Sequence, residues 1–344
     1  MNVRGDWRTG ALVILGLLLV LVLTLAAFGI DVRVGLPTIV KGAAGDWFGI
    51  TKTLVRFIPL CLIGLGILVA WKAGMFSVGG EGQYVLGGIG GATIFAIFGP
   101  GLGALSAPLM MILGAGFGLG LGMLAGWLEL RRGVPVVIST ILLNFIAIEL
   151  MAYLVRGPLQ EPKRQLFQSA TLPDALMLAR FDRQTDLHAG VFVAILAVVG
   201  VGIYLNATWG GFRLKVVGDS PSAARANRMN ADRTRMEAMA ISGALCGLAG
   251  AVDYVGLSGR LADGFAQGWG FMSIPVALLG GLNPFGTGVA ALFFGGLLAG
   301  CEQLKRDTAI GNTLVPVVQG VAVMAFVAIL RWREWRAKRA EVAP

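Results

Sequence analysis

The sequence has 344 residues, of which 56% are hydrophobic and 14% are charged, and its formal net charge is +9. Soluble domains carry about 25% charged residues, so this composition excludes an ordinary soluble domain and predicts an all-α polytopic membrane protein. The basic residues are expected to mark the cytoplasmic side of a lipid bilayer, and no nucleic-acid partner is expected.

The first apolar run, residues 11–30, could be mistaken for a secretory signal. At about 20 residues it exceeds the 7–15 residues of a cleavable apolar region, so we interpret it as a retained transmembrane helix. The rest of the chain continues the pattern and predicts about ten transmembrane segments in a single transmembrane domain, 1–344. The segments are 11–30, 54–72, 83–98, 104–128, 134–155, 189–206, 237–256, 267–282, 285–302 and 311–330.

An even number of segments returns the chain to the side on which it started. The basic C-terminal tail and the central loop 207–236 therefore predict that both termini and this loop are cytoplasmic, with the long loop 156–188 outside. The central loop contains the basic residues Arg213, Lys215, Arg225, Arg228, Arg233 and Arg235.

The tetrapeptide VPVV occurs twice, at 134–137 and at 315–318, in segments predicted to run in opposite directions. This pattern is typical of an inverted repeat in which segments 2–5 and 7–10 are the two halves. Chance similarity between apolar helices is the alternative.

The stretch KAGMFSVGGEGQ, residues 72–83, places Glu81 among four glycines. Glycine disfavours helix continuation by about 1 kcal/mol relative to alanine, so we predict a helix break between the second and third segments. Glu81 would then begin the third helix, where the helix dipole stabilises a carboxylate.

A glycine stripe lies in the fourth segment, with Gly118, Gly122 and Gly126 on one helical face. Small residues at this spacing allow close helix packing in lipid, which we favour over a dinucleotide-binding loop because no strand precedes them.

No constellation typical of catalysis or metal binding is evident. The chain has no phosphate-binding loop of the GxxxxGK[ST] type, and its one histidine, His188, is predicted to be an interfacial residue. Cys61, Cys246 and Cys301 all lie in apolar segments and are predicted to be buried thiols. We therefore expect no metal, no cofactor and no enzymatic activity in this chain.

The central loop contains a short predicted helix. Ser220 and Pro221 are typical of an N-cap and a first helical position, and SAARANRM follows them. Its small side chains suit insertion into a groove of another protein, whereas the alternative is a connector that only caps the bundle.

Five stretches together resemble the membrane permeases of bacterial ABC importers, in the branch of nucleoside and simple-sugar permeases related to ribose-type permeases. They are KAGMFSVGGEGQ, VISTILLN (137–144), TWGGFRLKVVGDSPSAAR (208–225), ISGALCGLAGA (241–251) and PVALLGGLNPFG (275–286). The resemblance covers nearly the whole chain. It implies a type II importer fold in the bacterial cytoplasmic (inner) membrane.

The same resemblance implies partners. They are a second permease subunit, identical or homologous, ABC ATPase subunits inside and an extracytoplasmic solute-binding protein outside. Residues 218–229 would be the coupling helix, and the implied contact residues are Gly218, Asp219, Ser220, Pro221, Ala223, Ala224 and Arg225. Relatives often read AARYAGI where this chain reads AARANRM, so Ala226 and Arg228 replace an aromatic residue and a glycine.

Polar residues in the membrane segments are candidates for the substrate pathway, because unsatisfied polar groups are costly there. The chosen candidates are Glu81, Gln83, Ser139, Thr140, Asn144 and Gln319. Each could instead bond to its own or a neighbouring helix. The scarcity of Lys and Arg in the segments favours a neutral solute such as a nucleoside or a sugar. A proton- or sodium-coupled secondary transporter is the alternative function, with Glu81 as its ion site, and a membrane-embedded enzyme is a distant third.

Overall fold

The computed structural model describes residues 31–181 and 185–308, together with positions 22, 26, 29, 317 and 320. The described chain is all-helical apart from loops and three isolated β-bridges. Its α-helices are α1 Val32–Ala44, α2 Trp47–Lys72, α3 Gly80–Phe98, α4 Ser106–Arg132, α5 Val136–Arg156, α6 Gly190–Ala207, α7 Trp209–Asp219, α8 Pro221–Ala226, α9 Ala231–Asp253, α10 Trp269–Leu279 and α11 Pro284–Thr308. A π-helical turn, Tyr254–Ser258, continues α9.

Within the described ranges, seven helices are long and apolar enough to cross a membrane: α2, α3, α4, α5, α6, α9 and α11. The predicted all-α membrane class is therefore confirmed. The second to seventh and the ninth predicted segments coincide with these helices. Most of the first and tenth segments lies outside the described residues, as does most of the second VPVV.

The eighth predicted segment, 267–282, contains only the 11-residue helix α10. Such a helix is about 16 Å long, which is about half the thickness of a bilayer core, so α10 cannot cross the membrane alone. It is a half-helix, preceded by the irregular loop 259–268.

Of the described residues, 31–53 and 295–308 form one compact unit, and 54–294 form another. In the smaller unit, Gly300 of α11 lies against Ile39 of α1. The larger unit contains the break in KAGMFSVGGEGQ, the central loop and α10.

Glycines hold α4 against α9 in the larger unit. A Cβ atom on Gly118 would overlap the carbonyl oxygen of Gly243, and one on Gly122 would overlap the carbonyl oxygen of Met239. At the third member of the stripe, Gly126, a Cβ atom would lie 3.3 Å from Sδ of Met236. The stripe is therefore confirmed as a packing surface, because only glycine lets the two backbones approach this closely.

The outer loop is hydrogen-bonded to the loop that precedes α10. The peptide N–H of Ser169 donates to the carbonyl oxygen of Leu261 at 2.8 Å, and the N–H of Leu261 donates to Oγ of Ser169 at 2.9 Å. Leu172 N–H donates to the carbonyl oxygen of Gly259 at 2.7 Å. These bonds attach the first residues of loop 259–268 to the outer loop.

The side chain of His188, which the sequence predicts to be interfacial, is completely buried within the protein. The imidazole lies against Gly190 and Gly256, where any Cβ atom would overlap the ring. Its Nδ1 accepts a hydrogen bond from the N–H of Gly190 at 3.1 Å. Burial, with a smaller contribution from Arg180, lowers the pKa of His188 from 6.5 to about 4, so the ring is neutral at pH 7.

Candidate functional site

The chain breaks within KAGMFSVGGEGQ, as the glycines predict. Helix α2 ends at Lys72 and α3 begins at Gly80, so residues 73–79 are non-helical. Gly74 has a φ of +77°, which favours glycine. The break exposes backbone polar groups that need partners at this depth.

Helix α5 supplies the partners of the break. The N–H of Val78 donates to Oγ1 of Thr140 at 3.2 Å, and the carbonyl oxygen of Val78 accepts from Nδ2 of Asn144 at 3.0 Å. Oδ1 of Asn144 accepts from the N–H of Gly82 at 2.8 Å. Two candidate pathway residues therefore hold the backbone of the break in place.

Ser139 is buried one position before Thr140 on the same helix. Its Oγ donates to the carbonyl oxygen of Val136 at 3.1 Å, and Oγ1 of Thr140 donates to that same oxygen at 2.7 Å. Both hydroxyls are thus satisfied by their own helix in the described conformation.

Glu81 lies in the first turn of α3, as predicted, but its carboxylate binds a different helix. Oε1 accepts from the N–H of Gly268 at 2.8 Å, and Oε2 accepts from the N–H of Gly270 at 2.6 Å. These amides are at the N-terminus of the half-helix α10. Glu81, a residue that is only 2% exposed, therefore caps α10 with two hydrogen bonds from backbone N–H groups.

Two other candidates are placed differently. Gln83 is buried on α3, and its Oε1 has no hydrogen-bond partner among the described residues. Gln319 lies outside the described residues. The break thus brings together Glu81, Thr140 and Asn144, with Ser139 and Gln83 next to them along their helices.

Sequence reasoning did not single out the partners of Glu81. Gly268 and Gly270 flank Trp269 in the stretch GFAQGWG, which precedes a short apolar run. A short helix that begins with closely spaced glycines is the signal that could have indicated an N-terminus needing an external carboxylate.

The central loop forms the predicted short helix. Oγ of Ser220 accepts from the N–H of Ala223 at 3.3 Å, and Pro221 is the first residue of α8. This confirms the predicted N-cap. Ala223 and Arg225 are exposed, whereas Ala224 is completely buried.

Helix α8 ends in a Schellman motif. The N–H of Met229 donates to the carbonyl oxygen of Ala224, and the N–H of Arg228 donates to that of Arg225, each at 3.0 Å. Arg228 has a φ of +56° at the position where this motif usually contains glycine. Ala224 packs with Val217 of α7, and Met229 covers this small cluster.

The start of the break contacts the end of α7. A Cβ atom on Gly218 would overlap the carbonyl oxygen of Lys72. The stretch 72–83 therefore runs from the central loop at Lys72 to the N-terminus of α10 at Glu81.

The described residues contain no group of three or more His, Cys, Asp or Glu side chains that could hold a metal ion. Cys61, Cys246 and Cys301 are buried free thiols, as predicted.

Comparisons with known proteins all point to the same family. Residues 49–333 match the family described as "Branched-chain amino acid transport system / permease component". The chain is 32% identical to the glucose ABC transporter permease protein of Haloferax volcanii, over 84% of this chain and 78% of that protein.

Two further relatives carry nucleoside names. The chain is 32% identical to the guanosine ABC transporter permease protein of Bacillus subtilis, over 87% of this chain and 86% of that protein. It is also 32% identical to a nucleoside ABC transporter permease protein of Lactococcus lactis subsp. cremoris, over 92% and 89%. No solved structure matches the chain significantly. The resemblance seen in the motifs is confirmed: this chain belongs to the family of ABC transporter permease components, which translocate solutes and are not enzymes.

Proposed function

We propose that the chain is the membrane-spanning permease of an ATP-driven ABC importer for a neutral polar solute, most specifically a nucleoside or a simple sugar. Family membership carries this proposal, and the relatives named for guanosine, nucleosides and glucose support the solute class. A proton- or sodium-coupled secondary transporter is not favoured by these relatives.

The buried charges of the described residues also support a neutral solute. The buried ionisable side chains include Glu81, Asp253 and His188, but no lysine or arginine is buried in the described part of the chain. A pathway for phosphates or carboxylates normally has fixed positive charge, whereas hydroxyl and N–H donors are satisfied by acidic and amide oxygens.

Helix α8 is the proposed docking point for an ATPase subunit. Its exposed Ala223 and Arg225 are available to a groove, while the N-cap at Ser220 and the buried Ala224 keep the helix fixed on α7. The contact of Gly218, at the end of α7, with Lys72 supports a link between the proposed docking helix and the break. Gly218, Asp219 and Pro221 complete the proposed coupling element.

The proposed assembly has two permease subunits, two ATPase subunits inside and a solute-binding protein outside, in the bacterial inner membrane. Each permease is one transmembrane domain of about ten helices with an inverted repeat and with cytoplasmic termini. Single cysteines at Ala223 and at Gln165 of the outer loop, labelled by a membrane-impermeant maleimide, test this orientation. Labelling of Gln165→Cys from outside intact cells, and of Ala223→Cys only after lysis, is expected; the reverse pattern would overturn the orientation.

Reconstitution tests the function. The permease, its cognate ATPase and its binding protein are placed in liposomes, and uptake of labelled guanosine, uridine, ribose and glucose is measured. ATP-dependent uptake of at least one of these solutes is expected, and an ATPase without its catalytic glutamate is the control. Uptake that ignores ATP, or that follows an imposed proton or sodium gradient, would overturn the proposal.

A further inference from the structure

A second buried polar pair lies one helical turn beyond Glu81. The hydroxyl of Tyr84 on α3 donates to Oδ2 of Asp253 at 2.6 Å, at the C-terminal end of α9. Tyr84 is 1% exposed and Asp253 is 3% exposed. Oδ1 of Asp253 has no hydrogen-bond partner among the described residues.

An oxygen of a buried carboxyl group that lacks a hydrogen-bond partner is energetically costly in a membrane interior, so such an oxygen is expected to have a function. Buried polar atoms are nearly always paired, and ionisable residues at membrane depth are typically functional. Asp253 is followed directly by the π-helical turn Tyr254–Ser258, a local irregularity that is frequent at functional sites. Both observations indicate that Oδ1 of Asp253 is available to accept a hydrogen bond from a ligand.

An aromatic ring covers Tyr84. Phe265, from the loop before α10, stacks on the Tyr84 ring with centroids 5.1 Å apart and an interplanar angle of 22°. The ring of Phe265 fits against Gly88 of α3, where a Cβ atom would meet its Cε1 at 2.6 Å. Gly264 and Gly268 on either side of it have φ values of +96° and +80°. Phe265 is therefore a side chain on a glycine-flanked loop, set against a flat aromatic surface.

We propose that Tyr84, Asp253 and Phe265 form a solute subsite, closed here by Phe265, which accepts a flat ring with N–H donors such as a nucleobase. The solute ring takes the place of Phe265 against Tyr84, and its N–H group donates to Oδ1 of Asp253. This inference rests on the proposed function and makes its solute class more specific.

The chemistry distinguishes a nucleobase from a simple sugar. Nucleobases stack on aromatic side chains through their flat faces, and carboxylate oxygens accept from exocyclic or ring N–H groups. The subsite provides both: Tyr84 offers the aromatic face and Asp253 offers the acceptor oxygen. It contains no cation among these three residues, so it is matched to a neutral donor and not to an anion.

The experiment uses the reconstituted complex with one binding protein throughout, so that the selectivity of the binding protein cancels between variants. Uptake of guanosine is compared with uptake of 1-methylguanosine, which lacks the ring N–H. Asp253→Asn is expected to lower the guanosine preference about tenfold relative to the unmutated complex, because one side-chain oxygen is replaced by an amide nitrogen that cannot accept a hydrogen bond. Asp263→Asn, at an exposed position in the loop 259–268 that carries Phe265, is the matched control and should keep the preference.

Two further variants test the aromatic surface. Tyr84→Leu should lower the uptake of guanosine and of 1-methylguanosine alike, because both rings lose the surface on which they stack. This variant also tests the subsite if Asp253→Asn does not assemble. Phe265→Ala should increase ATP-independent exchange of guanosine, whereas Phe271→Ala, an exposed phenylalanine on α10, should not.

The outcomes separate the two proposals. An unchanged guanosine preference in Asp253→Asn overturns the subsite, and so does unchanged nucleoside uptake in Tyr84→Leu. ATP-dependent uptake of sugars without any nucleoside uptake also overturns the subsite but leaves the importer intact. No ATP-dependent uptake of any of the solutes overturns the proposed function itself.

Discussion

Glu81 and Gly270 are 189 residues apart in the chain, yet the N–H of Gly270 donates to Oε2 of Glu81 at 2.6 Å. The second oxygen, Oε1, is bound by the N–H of Gly268. A carboxylate at the start of one helix thus satisfies the first amides of another. These two hydrogen bonds connect the break in the chain to the half-helix α10, and the first prediction concerns their loss.

Glu81→Gln should impair transport and lower stability. The amide that replaces one carboxylate oxygen cannot accept, so the N–H of Gly268 or Gly270 loses its partner, at a cost of about 1–3 kcal/mol. ATP-dependent uptake and thermal unfolding of the purified protein measure the two effects. Glu149→Gln, at an exposed position of α5, is the control and should change neither. Uptake by Glu81→Gln equal to that of the unmutated protein would contradict the role of the carboxylate.

Gly118→Ala and Gly120→Ala should differ sharply although they lie on the same helix. A Cβ atom at Gly118 would overlap the carbonyl oxygen of Gly243, whereas nothing lies within 4 Å of one at Gly120. We expect Gly118→Ala to destabilise the protein by about 1–3 kcal/mol and Gly120→Ala to be neutral or slightly stabilising. Unfolding in detergent compares the pair, and equal midpoints would show that α4 and α9 tolerate separation.

Ala223→Arg and Ala224→Arg should both reduce transport, but for different reasons. Ala223 is exposed on α8, so a bulky charge there should reduce uptake per ATP hydrolysed without altering thermal stability. Ala224 is buried against Val217, so the same change should unfold the helix and lower the level of assembled complex. ATPase activity and uptake, measured on the same vesicles, give the coupling ratio. An unchanged ratio in Ala223→Arg would argue that α8 is only a connector.

Arg228→Gly should stabilise the central loop. Arg228 has a φ of +56°, and a left-handed conformation costs a residue with a Cβ atom about 1 kcal/mol. Arg225→Gly, inside α8, is the opposite control because glycine in a helix costs about 1 kcal/mol. Midpoints of thermal unfolding should move up for the first variant and down for the second. A lower midpoint for Arg228→Gly would mean that the arginine side chain makes a stabilising contact.

The stability of the protein should fall on acidification because of His188. Burial lowers the pKa of its imidazole from 6.5 to about 4, so between these pH values only the unfolded chain takes up the proton. Stability is therefore complete above about pH 6.5 and decreases towards pH 4, by at most about 3 kcal/mol from this residue. Unfolding midpoints across pH 4–7.5 check this. His188→Asn should have a flatter profile, and an identical slope would exclude His188 as the titrating group.

Local features were predictable from the sequence because they depend on neighbouring residues. The four glycines of 72–83 indicated the break, and Ser220 with Pro221 indicated the start of α8. The spacing of Gly118, Gly122 and Gly126 indicated a packing face. Each depends on intrinsic backbone preference or on helical period.

Long-range partners were not predictable in the same way. The dipole of its own helix gave a local reason for the position of Glu81, but the partners of its carboxylate come from α10. His188 was predicted to be interfacial because it ends the outer loop just before a membrane segment, but that position did not reveal that its ring lies against Gly256 of the π-helical turn. The burial of Ala224 depends on how α8 lies on α7, which side-chain size alone does not specify.

The side chains that surround the break have a consequence for amide hydrogen exchange. The N–H groups of Val78 and Gly82 are non-helical or at a helix start, where exchange is normally fast, yet Thr140 and Asn144 accept from them. The N–H of Gly270 is held in the same way by Glu81. Deuterium uptake at these amides would therefore report when α3, α5 and α10 separate, and it would mark the step of the transport cycle at which the break opens.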